Sequence, residues 1–393
     1  MLRTVSTGLL AFFIVSLGVI APGMAADPGV TDSEIVLGIW TPLTGPVALL
    51  GTSERDALQI WANQVNEAGG IHGRKIRLVV YDDGGSPQEA LAAVRRLIDQ
   101  DRVFALVAGS TSGSTLPVIP LINRAKIPFI ASISSNRRLL DPFSRYIFRV
   151  YPNEIAQAYG LLDYVVPRFG LKRPAMIYTS NDYGVGGHEA VTQRLREKYS
   201  LELIRAERYN VGDQDFSAQL LRIKQANPDS VFIWAFAAEA GIIVRQAKEL
   251  GLNVPLFGGG ATATPLFPKG AGPAGIGFIA DFVLPHLPES STAPAVVQYR
   301  EALKKLYPSG LPPGRPSEYD LAGYGAGKIT EEGLRRAGRD LTREKFVEAL
   351  ETLKEFDTGV LFPVTYAKDK HEGSSEAKIV RVNDKLEWEI VAK

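Results

Sequence analysis

The feature that most restricts the fold of this chain is an order of short β-branched runs and amphipathic stretches that occurs once and then again. Residues 35–40 are an apolar strand, and 45–50 form a loop bearing glycine and proline. Residues 53–67 have helical spacing, with Ala57, Leu58, Ile60, Trp61 and Val65 apolar, and stop at Gly69-Gly70, a C-terminal signal. A strand over 76–81, a helix over 87–99 and a strand over 103–108 follow. Such alternation predicts a parallel sheet covered by helices on both faces.

The second occurrence matches the first piece by piece. The strand 78–81, an acidic loop, a helix and the strand 104–107 have their counterparts in 206–209, another acidic loop, a helix and 231–234. Each set closes on a strand opened by proline, 127–130 and 254–257. The reading is α/β, with two Rossmann-like lobes in tandem rather than one large sheet. Glycine and proline are dense over 270–288, which reads as a crossing segment rather than an element interior. Residues 293–353 read as helices, and the tail as a hairpin of strands 379–382 and 386–391 around Asn383-Asp384.

Composition excludes several classes. The 393 residues, 45% hydrophobic, are ample for two cores. Lys and Arg number 44 against 43 Asp and Glu, so nothing points to nucleic acid as a partner. Cysteine is absent, which rules out disulfides, a thiol nucleophile, a thiolate metal site and a lipid-bearing cysteine. Residues 1–26 read as a secretory signal: Arg3, an apolar run over 8–20, then small residues with cleavage near Ala25 or Ala26. The run is shorter than the ~20 residues that span a bilayer. The compartment this predicts is the periplasm.

Catalytic signatures fail on inspection. Gly270, Gly272 and Gly275 spell a dinucleotide fingerprint, but Pro273 interrupts it and no strand-to-helix unit frames it. Lys328 is followed by Ile329 where a phosphate loop needs Ser or Thr, so 325–328 reads as a small-residue helix packed closely on a neighbour. His72, His188, His286 and His371 lie apart, without metal-ligand spacing, and read as surface or loop residues. Residues 109–113 carry threonine where a nucleophile elbow carries serine. No enzyme, metal or cofactor is expected.

Several stretches, in this order, resemble one family nearly end to end: 43–46 (Leu-Thr-Gly-Pro), 66–71, Tyr81-Asp82-Asp83, 112–115, Phe148-Arg149, Asp182-Tyr183-Gly184 and Arg245-Gln246-Ala247. The chain resembles the leucine/isoleucine/valine-binding type of periplasmic solute-binding protein, the capture component of an ABC importer. The resemblance implies a type I periplasmic binding fold with lobes joined by a three-strand hinge. It divides the chain into 27–152 plus 284–355 and 153–283 plus 356–393. It also implies a monomer that serves a permease of the inner membrane. A ligand-sensing regulatory domain uses the same fold and is the second reading.

The residues add a chemical logic of their own. Ser112 follows the strand 103–108, and a helix is expected to begin near Ser114, which would offer hydroxyls and free amides to a carboxylate. Ser134 and Ser135 follow the next strand and should open on the same crevice; all three serines equally suit helix caps. By resemblance, Ser112 and Ser135 by hydroxyl and Ile133 by backbone hold the ligand carboxylate. Tyr183, Phe236 and Tyr319, with Trp40, wall the pocket. Gly260 stands where the family's amino-acid binders carry an acid for the ammonium, and Leu50 where they often carry an aromatic. An unpaired buried ammonium costs on the order of 3–5 kcal/mol, so the expected ligand is a small organic acid without an α-amino group, such as a benzoate or cinnamate. An amino acid is the alternative, with Glu154 or Glu239 supplying the missing charge.

Overall fold

A computed structural model describes residues 27–392 and contains two sheets. The signal-peptide reading concerns residues 1–26, which lie outside the described residues. The first sheet grows from β1 (Glu34–Thr41), α1 (Ala48–Glu67), β2 (Lys75–Asp82), α2 (Pro87–Asp99) and β3 (Ala105–Ala108). It is completed by α3 (Ser112–Thr115), α4 (Ile119–Ala125), β4 (Phe129–Ala131) and β5 (Ile147–Arg149). Its strands are parallel, in the order β2-β1-β3-β4-β5.

The second sheet repeats that plan. It uses α5 (Glu154–Phe169), β6 (Pro174–Thr179), α6 (Asp182–Tyr199), β7 (Arg205–Tyr209), α7 (Ser217–Gln225) and β8 (Ser230–Trp234). Then come α8 (Ala237–Glu249), β9 (Leu256–Gly258), α9 (Leu266–Ala271) and β10 (Ile279–Phe282). The parallel part runs β7-β6-β8-β9-β10, the same order as the first sheet counted from its own first strand. The internal repeat read from the sequence is therefore a repeat of topology. The chain returns through α10 (Pro294–Leu306), α11 (Glu318–Ala337) and α12 (Arg343–Leu350), which stack on one another, on α1 and against β3 and β4. The antiparallel pair β11 (Lys378–Val382) and β12 (Trp388–Ala392) extends the second sheet beside β10.

Two expectations need correction. The segment 270–288 is not all crossing: β10 lies inside it, fully buried, and the sequence hid it because Asp281 interrupts its apolar run. The loop over 45–50 is shorter than expected, since α1 begins at Ala48 and Leu50 is buried on its first turn. The small-residue helix at 325–328 is α11, whose Gly327 packs so tightly on Trp61 that a Cβ there would stand 2.6 Å from the indole.

The chain passes between the sheets after β5, after β10 and after α12. The first and third passages are paired through backbone: Arg149 N–H donates to His371 O at 2.8 Å, and Gly373 N–H donates to Arg149 O at 3.0 Å. His371 is a loop residue but not a surface one; it is buried and stacks on Phe148 with ring centroids 3.8 Å apart.

A buried carboxylate organises the upper end of the first sheet. Glu54 of α1 accepts hydrogen bonds from Thr41 at the end of β1 (2.7 Å), from Ser110 beyond β3 (2.5 Å) and from Ser132 beyond β4. Burial pushes its carboxyl up to about 7 against the opposing pull of these hydroxyls. Replacing Glu54 by alanine removes the acceptor shared by three buried hydroxyls and is expected to cost about 2–4 kcal/mol in urea denaturation. Because the folded state holds this proton more tightly than the unfolded chain, wild-type stability should fall relative to Glu54→Gln as pH rises from 4.5 towards 7. Denaturation midpoints of both proteins between those pH values check the sign; a parallel pair of curves would contradict it.

Candidate functional site

In open α/β sheets, ligands sit beyond the carboxyl ends of the strands, where the strand order reverses. Here the reversal lies between β1 and β3 in one lobe and between β6 and β8 in the other, and loops from both converge on one cavity. It encloses about 320 Å³ of atom-free space, its mouth included.

The first lobe supplies hydroxyls. Ser110, Thr111 and Ser112 line the cavity from the loop after β3, and Ile133, Ser134 and Ser135 from the loop after β4. Ser112 Oγ accepts from Ser134 Oγ and from the Asn136 N–H, both at 3.3 Å, so its own proton is left to donate elsewhere. The expected helix near Ser114 is only the four-residue α3, capped by Thr111 and followed by a 3-10 turn and α4. Pro117 and Pro120 break the run, so hydroxyls rather than a long helix's amides dominate this end. Arg149, buried at the crossing, donates to Ser135 O (3.2 Å) and Asn136 O (2.8 Å) and so fixes the second loop. No lysine, arginine or histidine stands among the described lining residues.

The opposite wall is aromatic. Tyr183 at the start of α6 and Phe236 just before α8 are stacked, with centroids 5.4 Å apart. Tyr319, in the first turn of α11, and Tyr151, on the first crossing, complete it with Leu50 of α1. Their hydroxyls are engaged in the wall: Tyr319 donates to Ala261 O at 3.2 Å, Ala261 N–H donates to Tyr183 at 3.4 Å, and Tyr151 donates to Glu318 Oε1 at 2.9 Å. Burial holds all three phenols well above the usual tyrosine range.

Of the residues singled out in the sequence, Ser112, Ile133, Ser134, Ser135, Tyr183, Phe236, Tyr319 and Leu50 are thus brought together. Trp40 is not: strand alternation turns it into the core of the first lobe, where it lies against Phe129 at 5.0 Å. Glu154 is not in the wall either, because its Oε1 is turned to the Arg137 N–H at 3.0 Å. Glu239 is taken up by Tyr209 (3.0 Å) and the Gly212 N–H (2.7 Å), holding the loop after β7. Gly260 adjoins the lining residue Ala261 and faces Gln157 and Asp281. Sequence reasoning missed Ser110, Thr111, Tyr151, Gln157 and Ala261 in the lining. Ser110 and Thr111 had been weighed only as part of a nucleophile motif. Tyr151 and Gln157 sit two residues after Arg149 and one turn into an Asn153-capped helix, positions whose role depends on how the lobes are mounted.

The lobes also meet at the cavity's rim. Asn136 Nδ2 donates to Asp182 O at 2.7 Å, and Arg138 pairs with the Asp182 carboxylate.

Comparison with known proteins agrees with this architecture. A family model described as periplasmic binding protein matches residues 34–387. The Leu/Ile/Val-binding protein BraC3 of Rhizobium johnstonii is 26% identical over 86% of this chain and 88% of its own length. Among solved structures, a type 1 periplasmic binding protein from Bordetella pertussis superposes with a TM-score of 0.82 at 24% identity, covering 92% of this chain and 100% of that one. A fatty acid ABC transporter substrate-binding protein from Thermomonospora curvata superposes at 0.80 with 25% identity, covering 93% of each. With two like-wound lobes around one cavity, and a family match over nearly the whole described chain, the protein belongs to the periplasmic binding protein family.

Proposed function

We propose that this chain is the periplasmic capture component of an ABC importer and that it holds a small carboxylate with an apolar body between its lobes. The observation that carries this reading is the division of the cavity: serine hydroxyls of the first lobe on one side, aromatic rings drawn from both lobes on the other, and no cationic side chain among the described lining residues. Hydroxyls and a backbone amide satisfy a carboxylate by hydrogen bonding without a neutralising cation, an arrangement that binds firmly yet releases. In this reading Ser112, Ser135 and the Ile133 backbone contact the carboxylate, while Tyr183, Phe236, Tyr319 and Leu50 enclose the rest. The ligands named for BraC3 and for the Thermomonospora protein, branched-chain amino acids and a fatty acid, share a carboxylate on an apolar body. The aromatic wall suits benzoates and cinnamates as well as branched chains.

The moving bodies are taken to be 27–152 with 284–355 and 153–283 with 356–393, hinged at the crossings and closed at the Asn136–Asp182 contact. The closed form of a monomer would then dock on the permease. A regulatory sensor would share the cavity but not the permease.

Calorimetric titration with amino acids, benzoates and cinnamates tests the reading. Ser112→Ala combined with Ser135→Ala removes two charge-assisted hydrogen bonds of about 1.5–3 kcal/mol each, so Kd should rise by a hundredfold or more while the protein stays folded, at a melting temperature lowered by loss of the Ser112 acceptor. Unchanged affinity would place the ligand elsewhere. Prolonged incubation followed by mass spectrometry should return the bound ligand chemically intact, and any turnover would contradict a pure binding role.

A further inference from the structure

Beside the cavity lies a set of acceptors that the carboxylate reading leaves unused. Asp281, in the middle of β10, is fully buried, and neither of its carboxylate oxygens has a hydrogen-bond partner. Gln157, which lines the cavity and is 1% exposed, donates its Nε2 to Pro152 O at 2.8 Å; its Oε1 has no partner. That donor bond fixes which end of the amide is presented. Both free acceptors point to one place. A Cβ built on Gly260 would stand 2.9 Å from Asp281 Oδ2 and 3.0 Å from Gln157 Oε1. Any side chain at 260 would collide with both acceptors, so glycine there leaves them unobstructed.

Nearby groups make the vacancy of donors more pronounced. Glu318, also fully buried, takes the Tyr151 hydroxyl on Oε1 but has no partner for Oε2, and Asp281 raises its pKa further. Asp281 is in turn the strongest charged neighbour of Tyr183 in the cavity wall. Burial pushes the Asp281 carboxyl up to about 8; the backbone amides of Asp281 and Gly260 lie close enough to oppose this in part but outside hydrogen-bond geometry. Buried acceptors without donors are rare in native proteins and call for a reason. A cationic group with several N–H donors is the partner that satisfies two acceptors and stabilises a carboxylate at once.

We propose that Asp281 and Gln157, in the room left open by Gly260, receive a protonated amine on the ligand, so that the captured carboxylate is that of an amino acid. The inference rests on the carboxylate reading above and deepens it. It also reverses the consequence first drawn from Gly260. The acid absent from the turn after β9 is supplied by the neighbouring strand β10, and glycine at 260 is what lets it reach.

The test compares amino acids with the same acids lacking the amine, such as leucine with 4-methylpentanoate and phenylalanine with 3-phenylpropanoate. The standard amino acids and their deamino counterparts are screened by thermal shift and the hits titrated by calorimetry. The wild type should bind at least one amino acid about a hundredfold tighter than its deamino partner. Asp281→Asn, nearly isosteric, should erase most of that preference and leave the deamino acid within about threefold of wild type. Gly260→Ala, which fills the same room without touching the charge, should weaken the amino acid at least tenfold and guards against a folding artefact in the first variant. A wild type that prefers the deamino acid, or an Asp281→Asn protein that keeps its amino-acid affinity, overturns the proposal. Ser112→Ala with Ser135→Ala should weaken both members of a pair alike. Loss of amine preference in Asp281→Asn with no effect of the serine changes would sink the carboxylate placement and leave the amine site standing. Binding of neither member of any pair overturns both.

Discussion

The site depends on Glu54, a buried carboxylate in α1 that accepts from the ends of three strand-associated segments. Strand ends carry loops, and loops are ordinarily the least constrained part of an α/β lobe. By drawing Thr41, Ser110 and Ser132 to one point, Glu54 sets the height and spacing of the two loops that carry Ser112 and Ser135. The neighbouring ties continue that logic: Ser112 to Ser134 and Asn136, and Arg149 to the carbonyls of Ser135 and Asn136. Each hydroxyl that could face a ligand is therefore mounted on a polar network that is itself buried. A partly satisfied network of this kind is costly, and a satisfied one is rigid.

In the proposed closing motion the lobes turn at the crossings. Arg149 has two functions there, since its backbone pairs the first passage with the third while its guanidinium grips the serine loop. Any rotation of the second lobe is thereby referred to the same residue that positions the first lobe's hydroxyls. The rim contacts are of a different kind. Asn136 with Asp182, and the half-exposed Arg138 pair, are small and solvent-facing, worth little by themselves. In that motion they would register the closed lobes without preventing opening, and a ligand that bridges both walls would decide the balance.

Much of this was legible in the sequence because topology repeats. The proline-opened strands at 127–130 and 254–257 map onto β4 and β9, and matched neighbours give both sheets one strand order. The serine loops were legible for the same reason, as strand-end positions in a parallel sheet. What escaped was residue chemistry that depends on three-dimensional neighbours. Trp40 lies at a strand end, yet the direction of its side chain is set by register, which sends it into the core against Phe129. Asp281 escaped twice: its charge disguised β10 as loop, and its distance in sequence from Gly260 concealed that the two share one space.

In the amine proposal, that last pair relocates binding specificity without altering the fold. β9 and β10 are hydrogen-bonded neighbours, so an acid on either strand's edge of the cavity reaches nearly the same point. An acid on the turn after β9 needs only its own side chain; an acid on β10 needs the turn opposite to be bare. Gly260 and Asp281 therefore form one unit, and neither is interpretable alone. Reading the glycine as the loss of a cation site treats a position as if it acted by itself. The chemistry of the cavity belongs to the volume between the two strands, and in that volume the carboxylate is present, buried and without a donor.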